Sequence, residues 1–126
     1  MGQSAVAIML GTTDALPFTE DGGTIIVTEY AEHLGVKPWY DPRIPQRPRE
    51  ADTPTFGFFV ACGGSGYRHD DGVADFEPCA IEDILTVYAE PYQRAVDRWA
   101  AFAAFATSKG VTLSAPKLWI TMTETA

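Results

Sequence analysis

The segment Thr55–Cys62, TFGFFVAC, constrains the fold of this chain most, because apolar residues fill both of its alternating faces. A strand that is apolar on both faces belongs in the centre of a sheet. The chain has 126 residues, 46% hydrophobic and 21% charged, which are ordinary values for a globular domain. We therefore expect a single domain over residues 1–126, with a core that needs neither a metal nor disulfides.

Four further segments have the composition of strands. Residues 4–10 are small and apolar, and Thr24–Tyr30 is β-branched and aromatic, which suits a pleated surface. Residues 73–76 follow a glycine-rich turn and predict a hairpin with Thr55–Cys62. Apolar residues alternate over 118–122 and predict a C-terminal strand.

Two consecutive helices are predicted before the last strand. The first begins near Pro78, and its buried face at helical spacing consists of Ile81, Ile84, Leu85 and Tyr88. The second ends at Gly110, and its buried face consists of Tyr92, Ala95, Val96, Trp99, Ala103 and Ala106. The order β-β-loop-β-β-α-α-β predicts an α+β fold. Its sheet is mainly antiparallel with four to five strands, and the two helices cover one face.

The segment Lys37–Pro54 interrupts this pattern with five prolines and four of the nine basic residues. We interpret it as a solvated basic loop that packs on an acidic body. The alternative is a polyproline ligand for an aromatic groove, because prolines 42, 45 and 48 lie on one ridge of such a helix. Trp39 and Tyr40 lie outside any periodic core and are predicted interaction residues.

Charge and processing signals exclude several functions. The net charge of −8 opposes direct binding to nucleic acid or to an anionic membrane, because both bind basic surfaces. The N-terminus lacks the basic residue of a secretory signal, and its apolar run at 5–10 is too short to span a membrane. We interpret Cys62 and Cys79 as buried, reduced thiols and place the protein in a cytoplasm.

The segment Cys62–Cys79, CGGSGYRHDDGVADFEPC, offers three kinds of chemistry. Its glycines suit a phosphate loop, but the Lys-Ser/Thr pair of such loops is missing. Its carboxylates are hard ligands for Ca²⁺ or Mg²⁺, but their spacing does not match the calcium loop. Cys62 and His69 suit a nucleophile and base, although the neighbouring acids raise the thiol pKa. The bland alternative is a solvated hairpin tip.

Two surface features favour protein binding instead. The stretch Asp70–Glu90 holds seven acidic residues and no Lys or Arg, and six of the acids are predicted interaction residues: Asp70, Asp71, Asp75, Glu77, Glu82 and Asp83. On the second helix, Phe105 falls between Arg94 and Arg98 in projection. We therefore predict that Phe105 lies outside the core that contains Trp99, at a subunit or partner interface.

The sequence contains no recognisable catalytic dyad, so the main prediction is a small acidic, non-catalytic protein-interaction domain. We expect a cytoplasmic homodimer that binds a protein partner, with no cofactor, metal, nucleic acid or membrane. Its size and charge suit an inhibitor or accessory factor, of phage or mobile-element type, for a nucleic-acid-handling protein. The alternative is a small enzyme or a ligand- or metal-binding domain that uses Cys62–Cys79.

Overall fold

The computed structural model describes residues 3–13, 25–37, 43–45, 56–64 and 73–125. These residues form an α+β fold with one mixed sheet of four strands. The strands are β1 (Gln3–Thr12), β2 (Phe56–Gly64), β3 (Ala74–Asp75) and β4 (Lys117–Thr125). The helices are α1 (Ile25–Leu34), α2 (Ile84–Val87) and α3 (Ala89–Ser108), and a 3₁₀ turn at Ile81–Asp83 leads into α2. No helix in these ranges is long and apolar enough to cross a membrane.

The strand order in the sheet is β3-β2-β1-β4. β1 pairs antiparallel with both β2 and β4, whereas β3 pairs parallel with β2. The prediction of a mainly antiparallel sheet, with a hairpin from Thr55–Cys62 to residues 73–76, is therefore wrong. β3 contributes only two residue pairs, Ala61 with Ala74 and Cys62 with Asp75. An alternation pattern that short does not specify the direction of pairing.

The main core lies between the sheet and helices α1 and α3. A β-bulge in β2 decides which residues of this strand face it. Ala61 lies opposite Ile8 and Phe59 lies opposite Met9, so Val60 is the extra residue. Because of the bulge, Val60 and the adjacent Ala61 both join the main core. The opposite face of the sheet buries a smaller cluster of Ala7, Met9 and Cys62. β2 is thus an inner strand that packs on both faces, as its composition predicts.

Residues 25–34 form helix α1, where the β-branched composition of Thr24–Tyr30 predicts a strand. Ile26, Tyr30 and Ala31 are buried, and their spacing puts them on one face of a helix. The Tyr30 ring packs edge-on against Phe102 of α3, with 5.3 Å between ring centroids. Packing between the helices therefore outweighs the intrinsic preference of this segment for a strand. Gly35, at φ 72°, ends the helix.

Helix α3 is the main cover of the sheet and packs chiefly against β2. Its predicted inner face is confirmed: Ala95, Trp99 and Ala106 are buried, and the remaining members pack against the core as partly buried residues. Phe102 is also fully buried. Gly110, at φ 83°, ends the helix as predicted. The described residues contain three helices where the sequence pattern predicts two.

The proline-rich segment Lys37–Pro54 is described only at Lys37 and at residues 43–45. Ile44 is fully buried in the main core, and Pro45 is buried beside it in the chain. The sequence pattern does not predict Ile44 as a core residue, because no apolar periodicity surrounds it. The predicted polyproline ridge lies mostly outside the described residues.

Candidate interaction surface

Tyr88 fixes the path of the chain between β3 and α3. Its side chain is buried, and its hydroxyl accepts a hydrogen bond from the backbone N–H of Glu77 at 2.6 Å. The same hydroxyl donates to the Glu77 carbonyl oxygen at 2.7 Å. One phenol therefore satisfies both backbone groups of a residue eleven positions earlier. The segment 77–88 is held at its two ends by this contact.

Within this segment the helical geometry changes. The 3₁₀ turn Ile81–Asp83 is followed by the four residues of α2, and Tyr88 departs from helical geometry at φ −111° and ψ 32°. Of the predicted inner face, Ile84 and Tyr88 are buried, but Ile81 and Leu85 are exposed. The prediction that Ile81 and Leu85 face the core is therefore wrong. A regular spacing of 3.6 residues per turn does not extend across a 3₁₀ turn and a break.

Three large apolar side chains of this short segment are exposed. Ile81 is 77% exposed, Leu85 is 55% exposed and Val87 is 48% exposed. A single exposed apolar residue is ordinary on a protein surface, so three within seven residues of sequence make this segment a candidate interaction site. Exposed apolar side chains are therefore the first property that distinguishes this segment from an ordinary solvated surface.

Carboxylates interrupt and flank these apolar residues. Glu82 and Asp83 follow Ile81 directly, Glu77 begins the segment, and Glu90 lies two residues beyond its end; all four are exposed. No Lys or Arg occurs in the sequence from Asp70 to Glu90. We define the acidic surface as the exposed carboxylates and exposed large apolar residues of positions 77–90: Glu77, Ile81, Glu82, Asp83, Leu85, Val87 and Glu90. It combines apolar contact area with charge of one sign.

The run of acidic residues indicates the charged part of this surface, whereas the helical spacing does not predict its exposed apolar part. Glu77, Glu82 and Asp83 are exposed, and so is Asp75 at the end of β3; an interaction role for these four residues stays a prediction. The helical spacing, in contrast, assigns Ile81 and Leu85 to the core. Their acidic neighbours, and the prolines at 78 and 91 that bracket the segment, are the signals that oppose a long buried helix.

The predicted interface residue Phe105 is a half-buried residue of α3 that contacts α1. Its ring centroid lies 5.2 Å from that of Tyr30 and 5.1 Å from that of His33. Lys109 Nζ lies 5.5 Å from the centroid of the Phe105 ring. Phe105 packs against the core that contains Trp99, so the prediction that it lies outside this core is wrong.

The reason is the helical conformation of residues 25–34, because α1 lies beside the part of α3 that carries Phe105. Arg94 is exposed and Arg98 is half-buried on the same helix. A role for these three residues at a subunit or partner interface stays a prediction.

Tyr30 also lies at this contact between α1 and α3, the α1–α3 junction, and the pKa of its phenol is perturbed. Burial raises the pKa of its phenol above 10.0, and the positive charge of Arg43 opposes this rise. Tyr30 is therefore protonated at neutral pH and contributes packing rather than charge.

Of the catalytic candidates, Cys62 is fully buried in the smaller cluster, whereas His69 lies outside the described residues. Neither cysteine forms a disulfide, but Cys79 is exposed, so the prediction of two buried thiols is wrong for Cys79. Cys79 follows a proline in an irregular stretch that packs little of its surface. The predicted interaction residues Trp39, Tyr40, Asp70 and Asp71 also lie outside the described residues.

A cavity of about 310 Å³ opens between the end of β1 and the start of β4. The polar residues among those that line it are Thr12, Thr13, Ser114, Lys117 and Trp119. The Trp119 indole N–H donates to the Gly11 carbonyl oxygen at 3.0 Å. The described lining contains no carboxylate, imidazole or thiol, and so it offers no acid–base pair.

Within the described ranges, no three His, Cys, Asp or Glu side chains are grouped so that they could hold a metal ion. No protein-family model matches the chain, and no curated protein or solved structure matches it. Function is therefore inferred from the surface chemistry of the chain itself.

Proposed function

We propose that this protein is a non-catalytic interaction domain whose acidic surface binds a basic, amphipathic segment of a protein partner. The observation that carries the proposal is the exposure of Ile81 and Leu85, at 77% and 55%, on either side of the exposed carboxylates Glu82 and Asp83. Apolar residues rimmed by polar groups are typical of protein–protein interaction sites.

The chemistry of the surface defines the chemistry of the partner. The partner segment presents apolar side chains to Ile81 and Leu85, and Lys or Arg side chains to the carboxylates. Full burial of one such apolar side chain contributes roughly 1.5–3 kcal/mol. The charges contribute chiefly to the association rate and to the choice of partner.

The surface is organised before the partner arrives. Ile84 is buried within the segment, and Tyr88 holds Glu77 through two hydrogen bonds. A segment that is already ordered loses less conformational entropy when it binds. This order supports a docking surface over a segment that folds on binding.

The size and the net charge of −8 support a narrower proposal about the partner. Proteins that handle nucleic acids carry basic surfaces for the phosphate backbone. We propose that the domain acts on such a protein as an inhibitor or accessory factor in the cytoplasm. The alternative, an enzyme or ligand-binding domain at Cys62–Cys79, has less support because the Cys62 thiol is fully buried.

The test uses a synthetic amphipathic peptide with Leu and Lys at helical spacing, and it measures association and dissociation rates at increasing salt. We expect the association rate to fall steeply with salt, because the screening length is about 10 Å at 0.1 M. The dissociation rate should change less. A peptide with Glu in place of each Lys should not bind.

Two charge-matched double variants localise the binding. Glu82→Gln with Asp83→Asn removes two exposed carboxylates from the acidic surface, whereas Glu29→Gln with Glu32→Gln removes two exposed carboxylates from α1. We expect the affinity to fall by about tenfold for the first pair and by less than about twofold for the second. Equal losses for both pairs would show attraction to net charge alone and would contradict the proposal.

A further inference from the structure

In the described part of the chain, no strand pairs with the outer side of β4. β4 is last in the order β3-β2-β1-β4, and its register with β1 runs from Gln3 with Thr125 to Gly11 with Lys117 without a shift. Backbone N–H and C=O groups of a strand point alternately to its two sides. The outer side of β4 therefore presents a row of donors and acceptors that suits a further strand.

The β4 edge lacks the features that normally prevent such pairing. Edge strands are commonly protected by prolines, bulges, central charges or short length. β4 has nine residues, KLWITMTET, and the six residues between Lys117 and Glu124 include no charge and no proline. The opposite edge is β3, which is two residues long. The two edges of one sheet are thus protected to very different degrees.

Apolar surface is also available next to this edge. Ile120 pairs with Ile8 in the neighbouring strand, yet Ile120 is 53% exposed and Ile8 is fully buried. Helix α3 packs chiefly against β2 and less against β1, so its cover decreases towards β4. A strand added beyond β4 would therefore gain apolar contact with Ile120 as well as backbone hydrogen bonds.

We propose that a second copy of this chain occupies the edge, through antiparallel pairing of β4 with β4 about a two-fold axis at Thr121. In this register Lys117 lies opposite Thr125 of the second copy, and Glu124 lies opposite Leu118, so no like charges face each other. β4 contains one Lys and one Glu, so it is a neutral strand in a chain of net charge −8. Repulsion between two copies is therefore small at this edge.

The pairing joins two four-stranded sheets into one continuous sheet. Full overlap of two nine-residue strands forms about eight to ten backbone hydrogen bonds. The closed two-fold arrangement also leaves neither β4 edge open to further pairing. This interface is separate from the acidic surface and does not depend on the proposed function.

The first test measures mass in solution by light scattering over a dilution series. We expect a dimer for the unaltered chain. We expect Ile120→Lys to raise the dimer dissociation constant by about tenfold or more, because it sets two lysines near the axis. Ile81→Lys is the matched control, because it makes the same substitution at another exposed isoleucine and should leave the dimer intact.

Amide hydrogen exchange of the unaltered chain decides the question if Ile120→Lys fails to fold. In the dimer, successive β4 amides should all be protected, and dilution should release every second one, those on the outer side. A monomer at every concentration would overturn the proposal. So would a dimer whose outer β4 amides exchange rapidly.

Discussion

Large apolar side chains are covered at the α1–α3 junction but exposed on the acidic surface. At the junction, Phe105 is covered by the rings of Tyr30 and His33, with centroids 5.2 and 5.1 Å away. On the acidic surface, Ile81 and Leu85 are each more than half exposed. The junction has a second helix beside it, whereas no described element covers Ile81 and Leu85. The first region therefore stabilises the fold, and the second is available for a partner.

The largest expected effect belongs to the core beside the junction. Phe102 is fully buried and packs against Tyr30, Phe56 and Trp99. Phe102→Ala should lower the free energy of unfolding by roughly 3–5 kcal/mol, because it removes buried surface and leaves a cavity. Ile81→Ala should change it by less than about 0.5 kcal/mol. Urea unfolding of both variants checks the contrast, and equal losses would remove the distinction between the two regions.

Tyr88→Phe tests what holds the acidic surface in place. The variant keeps the buried ring but removes the hydroxyl that bonds to both backbone groups of Glu77. We expect a loss of roughly 1–3 kcal/mol in the free energy of unfolding. The substitution should also increase the amide exchange rate at Glu77, while the exchange rates in α3 stay close to those of the unaltered chain. Unchanged exchange at Glu77 would show that other contacts hold the segment.

The pH dependence of stability tests the burial of Tyr30 at the junction. Burial raises its folded-state pKa above the unfolded value of 10.0. The stabilisation is therefore complete below pH 10 and is lost as the pH rises through the folded-state pKa, because the folded chain then holds more protons than the unfolded chain. Tyr30→Phe should remove this part of the decline in urea-unfolding experiments above pH 10. If Tyr30→Phe leaves the decline in the free energy of unfolding unchanged, a group other than Tyr30 causes it.

The smallest effect on stability is expected at Leu85. Leu85→Ser should change the free energy of unfolding by less than about 0.5 kcal/mol, because the side chain is 55% exposed. The same substitution should weaken binding of the Leu/Lys peptide by about tenfold, since it removes an apolar contact of the interface. Calorimetric titration measures this loss. A stability loss as large as that of Tyr88→Phe would place Leu85 in the core.

Long periodic segments were predictable from the sequence. β1, β2, β4 and the inner face of α3 extend over nine or more residues, and so several successive residues repeat the same hydrophobic pattern. Helix α1 was not predictable in this way, because its β-branched residues favour a strand locally and only packing against α3 selects the helix. The direction of β3 depends on two residue pairs and leaves no signal in the sequence.

Of the acidic surface, the carboxylates could be predicted from the sequence, but the exposure of its apolar residues could not. A charge run is visible in any conformation, so Glu82 and Asp83 were identified from composition alone. The exposure of Ile81 and Leu85 depends on the change from a 3₁₀ turn to α2 and on the break at Tyr88. Helical periodicity assumes one regular helix, and it therefore assigned these two side chains to the core.

The most direct test of the central claim is to map by NMR where the Leu/Lys peptide binds on the unaltered chain. The account predicts that backbone amide shifts change most at residues 77–90, with the largest changes near Ile81 and Leu85, while the amides around Tyr30 and Phe105 change little. Saturable changes concentrated at the α1–α3 junction or along β4, with residues 77–90 unaffected, would contradict the claim that the acidic surface is the docking site.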